Sequence, residues 1–209
     1  PIRKIHKQFY DALHAPDRSV TKAGARQKAA ALLQSMEFKD PERILENCPA
    51  QLSGGMNQRV AIAVAMALEP AILLADEPTS ALDVTVQAQV VEELLQLRAQ
   101  YGTSILLITH NMGVAAKLAD QVAVMYGGRI VECGPRDDVL HDPAHPYTRA
   151  LLAAVPRLVG KLPQGISGRK PEFFPEQGCA FASRCPYAER ICGQATLRPH
   201  TVSGQHWTL

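Results

Sequence analysis

The feature that most narrows the possible folds is a short apolar run, Ala71 to Ala75, that stops on two carboxylates, Asp76 and Glu77. A parallel strand covered on both faces reads as a continuous apolar run, and ending it on charge delivers that charge to the carboxyl edge of a sheet. A helical pattern follows from about Val84 to Ala99, then a second apolar run over 104–109 that stops on His110, then a helical pattern over about 112–119. Strands alternating with crossover helices make a parallel α/β sheet. His110 is therefore expected at the same edge as Asp76 and Glu77, the first strand spanning 71–76, where open α/β sheets place ligands. Val122 to Tyr126 and Arg129 to Cys133 flank Gly127-Gly128. That two-residue hairpin signal predicts an antiparallel pair at the end of the sheet.

The residues around this core suit phosphate chemistry. Leu52-Ser53-Gly54-Gly55 stand just before a helical pattern running from Asn57 to Glu69. The Ser hydroxyl and the unpaired N–H groups of a first helical turn can face an anion, and glycine lets a phosphate approach the backbone. At the strand end, Asp76 is suited to hold Mg²⁺ and Glu77 to activate a water. Asp83 precedes a helix and is placed to cap it.

In order, these pieces resemble the second half of an ATP-binding cassette of ABC transporters: a signature motif (LSGG), a Walker B strand with DEPTSALD, and a switch histidine after ILLIT. LSGG alone is weak, but the three in series are specific. The resemblance implies an α/β, P-loop NTPase-like cassette, with residues 1–155 as a partial ATPase domain. Within it, about 1–69 form a helical subdomain and about 70–155 the catalytic sheet part. It further implies that Ser53, Gly54 and Gly55 close on ATP held by a second ATPase subunit, that Asp83 acts in the D-loop across that interface, and that Glu77 and His110 position the attacking water, with ATP and Mg²⁺ as cofactors. Two transmembrane permease subunits, and indirectly a substrate-binding protein, are the implied partners, at the cytoplasmic face of a bacterial inner membrane.

The sequence contains no G-x-x-x-x-G-K-[ST] loop and starts at Pro1. In the resembled family that loop and a glutamine-bearing loop precede the segment found here, so the expectation is a cassette lacking its N-terminal part, inactive on its own. The net charge of +2, with scattered Lys and Arg, gives no reason to invoke nucleic acid. The longest apolar run, Val60 to Leu68, is too short to cross a bilayer.

The first fifty residues read as helical. Ile2, Ile5, Phe9 and Leu13 recur on one face, Leu32, Leu33 and Met36 mark another helix within Thr21 to Met36, and Pro41 can open a short one to Leu45. Cys48-Pro49-Ala50 departs from the aromatic-Pro-His common in the resembled subgroup. His6, His14, His141, His145 and His200 are expected to be solvated.

Beyond Val155 the chain turns Pro-, Gly- and polar-rich. His145-Pro146-Tyr147-Thr148-Arg149 before it, and Cys179, Cys185 and Cys192 at C-x5-C-x6-C spacing after it, resemble the dipeptide, oligopeptide and nickel importer subgroup. Residues 156–209 thus read as its C-terminal extension, irregular and Cys-containing. Three clustered cysteines favour metal or redox chemistry over a structural disulfide where no leader directs export. The resemblance adds an iron–sulfur (4Fe-4S) cluster with a fourth cysteine near the C-terminus, where this chain offers only Gln205 and His206. Cluster, zinc and plain buried thiols all stay open.

The function expected is the ATP-hydrolysing motor of an importer for di- or oligopeptides, with nickel as the alternative cargo. A non-catalytic metal-binding or regulatory remnant is the alternative of another class. A chromosome-maintenance ATPase half is disfavoured, because no heptad run precedes Gln51.

Overall fold

The computed structural model describes residues 2–156, 165–169, 171–194 and 196–209. Part of the expected Pro/Gly linker, residues 157–164, lies outside the described residues. The chain divides into two compact units, residues 1–110 and 111–209.

The first unit opens with three helices, α1 (Ile5–His14), α2 (Lys22–Ser35) and α3 (Pro41–Glu46). Ile5, Phe9 and Leu13 are buried at one-turn spacing on α1, whereas Ile2 is 90% exposed because the helix starts after it. Thr21 caps α2 by accepting the Gly24 N–H, and Asp40 caps α3 by accepting that of Arg43, with Pro41 in the first turn. Arg26 pairs with Glu42 and Glu46, and Lys4 also reaches Glu46, tying the three helices together on their exposed side.

Next comes α4 (Gly54–Met66), which starts three residues earlier than the expected Asn57 because Ser53 supplies its cap. Then β1 (Ile72–Asp76), α5 (Val84–Tyr101) and β2 (Ser104–Ile108) form one β-α-β unit. The strands pair in parallel with Asp76 opposite Ile108, so both charged ends emerge at one edge. Gly102, at φ 66°, ends α5 in the left-handed conformation. Between α4 and α5, the Arg59 Nε lies 2.5 Å from a Glu93 carboxylate oxygen with both side chains buried. The Arg59 guanidinium also donates to the Met36 carbonyl and stacks 4.2 Å over Phe38. Burial pushes the Glu93 carboxyl above its ordinary range, with Arg59 pulling the other way.

The second unit holds α6 (Met112–Leu118), β3 (Gln121–Tyr126), β4 (Arg129–Pro135), α7 (Arg136–His141) and α8 (Pro146–Ala153), and the chain ends in β5 (His200–Ser203) and β6 (His206–Thr208). Gly127 and Gly128, at φ 58° and 78°, make the expected hairpin turn. Expectation and structure part at the sheet. The hairpin does not extend the parallel pair; it belongs to a separate antiparallel sheet of order β3-β4-β6-β5. The end of the tail supplies the two extra strands, so the region expected to be irregular is strand-forming at its end.

The core of this unit is aromatic. Tyr126 lies 4.5 Å from Tyr147 and 5.3 Å from both Phe174 and Phe181, ring centre to ring centre. The Gly127 position could not carry a side chain, because a Cβ there would sit 2.7 Å from the Phe174 ring.

Candidate nucleotide site

Ser53 begins α4, and its hydroxyl accepts the Met56 N–H at 3.3 Å. The hydroxyl therefore serves as a helix cap, and the outward anion-facing donors are left to the backbone of the first turn. Gly54 and Gly55 fill that turn. A Cβ on Gly55 would lie 2.4 Å from the Val86 Cγ1, and one on Gly54 would lie 3.8 Å from Leu82. The small residues thus let the start of α4 press on the start of α5. Asp83 caps α5 through the Val86 N–H at 3.0 Å, and the Gln87 amide donates to the carbonyls of Thr79 and Leu82, holding the connecting loop.

The end of β1 carries the titratable pair. Asp76 is exposed. Glu77 follows in the left-handed region at φ 47°, a costly conformation for a residue with a side chain. Its N–H donates to the Ile108 carbonyl at 2.9 Å, which carries the β1–β2 register one residue beyond the strand. Glu77 Oε1 accepts the His110 backbone N–H at 3.1 Å and lies 2.7 Å from the His110 Nδ1. Glu77 Oε2 is buried with no hydrogen-bond partner. The His110 side chain is 80% exposed. Donation from Nδ1–H to the carboxylate fixes the ring and leaves its Nε2 edge outward. Asp76, Glu77 and His110 therefore meet at one edge, and Ser53, Gly54 and Gly55 meet the start of α5 beside Asp83.

The expected metal site in the tail does not assemble. Among the described residues, no group of three or more His, Cys, Asp or Glu side chains is placed to hold a metal ion. Cys179, Cys185 and Cys192 are free thiols, drawn near one another where the Cys179 N–H donates to the Cys192 carbonyl at 2.7 Å. Burial pushes the Cys179 thiol up, and the nearby Cys185 and Cys192 push it further. Both candidate fourth ligands are engaged: Gln205 Oε1 accepts from the Gln121 amide at 3.0 Å, and His206 Nε2 lies 2.7 Å from Glu132. Among the described residues, the structure thus gives neither a 4Fe-4S cluster nor zinc any support. Order in the tail comes instead from Ala180 and Phe181, buried in the aromatic core.

Sequence reasoning missed a buried polar centre in the second unit. Glu132 is 0% exposed, His206 2% and His145 3%. Glu132 accepts the N–H groups of Ala144 and His145 at the start of α8 as well as the His206 ring; burial pushes its carboxyl up, but the Thr148 hydroxyl together with these bonds holds it below the ordinary range. His145, expected to be solvated, is instead buried and caps α8 by accepting the Tyr147 N–H at 3.0 Å. Burial lowers its pKa. His6 and His14 are half-buried, whereas His141 and His200 are exposed as expected. The one available signal was Glu132 itself, a lone carboxylate between apolar strand residues.

Residues 3–80 match the ABC transporter family, and residues 131–192 match the oligopeptide/dipeptide transporter C-terminal region. The dipeptide transport ATP-binding protein DppD of Bacillus subtilis is 44% identical over 97% of this chain and 63% of its own length. The oligopeptide transport ATP-binding protein OppD of the same organism is 42% identical over 99% of this chain and 59% of its own. The chain thus spans about three fifths of the length of the curated relatives it matches. Among solved structures, the dimeric ATP-binding cassette MJ0796, in a post-hydrolysis state bound to ADP and Pi, superposes with a TM-score of 0.56 at 28% identity over 65% of this chain and 58% of its own. The cbiO1 protein of Clostridium perfringens, part of the ABC transporter complex cbiONQ, gives 0.55 at 26% identity over 65% of this chain and 53% of its own. The fold is that of the ABC ATPase cassette. With both segments matched in the order in which the motifs fall, the chain carries an ABC transporter ATPase segment followed by an oligopeptide/dipeptide transporter C-terminal region, and is similar to dipeptide and oligopeptide transport ATP-binding proteins.

Proposed function

We propose that this chain is part of the ATP-hydrolysing motor of an importer for di- or oligopeptides. One observation carries the reading: Glu77 and His110 hydrogen-bond at 2.7 Å beyond a parallel strand pair, with the second Glu77 oxygen buried and unpartnered. A buried carboxylate oxygen without a donor calls for one, and an attacking water supplies it. Glu77 then orients the water and takes its proton, while the outward edge of His110 contacts the γ-phosphate. Asp76, an exposed hard-oxygen donor at the strand end, suits Mg²⁺, which when bound offsets phosphate charge. Ser53, Gly54 and Gly55 offer the first-turn N–H groups of α4 to ATP held by a second ATPase subunit, and Asp83 acts across the same interface.

Peptide rather than nickel cargo is supported by the matched tail family and by the transport named for the relatives. The partners in this reading are a second ATPase subunit, two transmembrane permease subunits and, indirectly, a substrate-binding protein. Among the described residues no helix is long and apolar enough to cross a membrane. Attachment at the cytoplasmic face of a bacterial inner membrane therefore runs through the permeases. The reading assigns no metal to the cysteine tail.

In the assembled transporter, Glu77→Gln is expected to cut ATP turnover by about 10²-fold or more while nucleotide binding persists, because the amide keeps the shape and removes the base. Unchanged turnover would move the base elsewhere. The chain assayed by itself is expected to show no turnover above background, since its sequence holds no glycine-rich loop with a Lys for the β-phosphate.

A further inference from the structure

The segment between β1 and α5 is held in a conformation that its own residues disfavour. Glu77 at φ 47° and Ala81 at φ 58° both stand in the left-handed region, where a Cβ is crowded by the backbone. Strain of this kind persists only where surrounding contacts over-determine it. The start of the segment is fixed by the Glu77 N–H on the Ile108 carbonyl, and the Ser80 N–H closes a turn on the Glu77 carbonyl at 3.0 Å. Its middle and end are fixed from α5. One nitrogen, the Gln87 Nε2, lies 3.2 Å from the Thr79 carbonyl oxygen and 3.0 Å from that of Leu82, so both of its protons go to the segment. Neither carbonyl belongs to α5, so these bonds hold the segment rather than the helix that carries Gln87. Thr79 is 2% exposed, which leaves its carbonyl short of water if the amide is lost.

We propose that Gln87 is a positioning residue for ATP hydrolysis: it holds the strained segment 77–83 so that Glu77 at one end and Asp83 at the other are presented in a fixed relation. The inference rests on the ATPase reading of those two residues. Gln87 touches neither water nor phosphate in that reading and acts through the segment alone. The packing carries on to Gly54 and Gly55, where an added Cβ would meet Leu82 at 3.8 Å and Val86 at 2.4 Å. A segment released at Thr79 and Leu82 relaxes at Ala81, shifts Leu82 against Gly54 and turns Glu77 out of its 2.7 Å contact with His110. The chemical step is sensitive to such movement, since misplacing a reacting group by about 1 Å can cost on the order of 10²-fold in rate. Nucleotide binding, to which neither Thr79 nor Leu82 contributes a ligand in this reading, depends on it far less. What the role requires is a donor at the end of a long unbranched arm, not the bulk of the arm.

Three variants separate donation from packing. Gln87→Met keeps the length and helix propensity of the side chain and removes both protons, Gln87→Glu does the same with a carboxylate, and Gln87→Lys restores a donor. The first measurement is amide exchange in the 209-residue chain without nucleotide, at Ser80 and Val86, whose N–H groups bond the Glu77 carbonyl and the Asp83 carboxylate. Exchange there is expected to quicken about tenfold in the Met and Glu variants and to return towards the unaltered rate in the Lys variant, with exchange over 90–97 unchanged. In the assembled transporter, Gln87→Met is expected to lower kcat about tenfold per bound nucleotide with the KM for ATP within about twofold, and Gln87→Lys to recover most of the rate. Should Gln87→Met fail to fold, Gln87→Glu is read in its place. Equal exchange in all the chains, faster exchange throughout α5, a rate that Gln87→Lys does not recover, or a raised KM with kcat unchanged would each overturn the inference. Glu77→Gln measured alongside keeps the two readings apart. Full turnover in Glu77→Gln sinks the ATPase reading, whereas turnover lost in Glu77→Gln and kept in Gln87→Met sinks this inference alone.

Discussion

Glu46 takes two cations at once, and this gives the helical layer a pH signature. Hydrogen bonds from Lys4 and Arg26 hold its carboxyl down to about 2, against an ordinary 4.5. Because the folded value is depressed, the ionised pair contributes fully above about pH 4.5 and its contribution is lost as the pH falls towards about 2. Urea unfolding of the first unit followed across that window is expected to lose stability with a step that Glu46→Gln removes; an identical profile in the variant would assign the acid sensitivity to other groups. Being exposed and screened, this pair makes a small step. The residues of the candidate site were more legible than this pair, and for a physical reason. Asp76, Glu77 and His110 each end an apolar strand, so local sequence marks them. Glu132 and His206 are separated by 74 positions, and no local pattern joins them.

Helix α4 is anchored through the buried Arg59–Glu93 pair to α5 and through the Met36 carbonyl to the end of α2, so one guanidinium fixes the signature turn's helix to two others. Arg59→Met removes one partner from a buried ion pair and is expected to destabilise the first unit by about 3–5 kcal/mol. The double variant with Glu93→Leu is expected to recover much of the loss, because no unpaired charge remains. Denaturant midpoints of the two variants check this, and equal losses would show that packing rather than charge dominates. At this scale the sequence was readable wherever a local device sets a boundary: Asp40-Pro41 for α3, Asp83 for α5, Gly127-Gly128 for the hairpin. It misled at α4. Glycines are poor helix formers, so a reading from propensity starts the helix after them, whereas the Ser53 cap and the close approach of α5 start it on them.

For the molecule as a whole, the antiparallel sheet is finished by a distant piece of chain, and this is what pattern reading could not supply. The hairpin was predicted; its completion by β6 and β5 from the end of the tail was not, since strand pairing across such a separation leaves no periodic trace. Deleting residues 206–209 is expected to destabilise the second unit by about 3–5 kcal/mol, because it strips His206 from the buried Glu132 carboxylate along with a strand. Limited proteolysis should then cut within 111–205 while the first unit stays intact, and a unit as resistant as before would make β6 dispensable. The same contact sets a clock on synthesis. At about 5–20 residues per second, the 74 positions between the two partners correspond to a delay of about 4–15 s. Throughout that interval the Glu132 carboxylate has been made and its histidine has not, so the first unit can fold while translation continues, whereas the second can close only after His206 has been made.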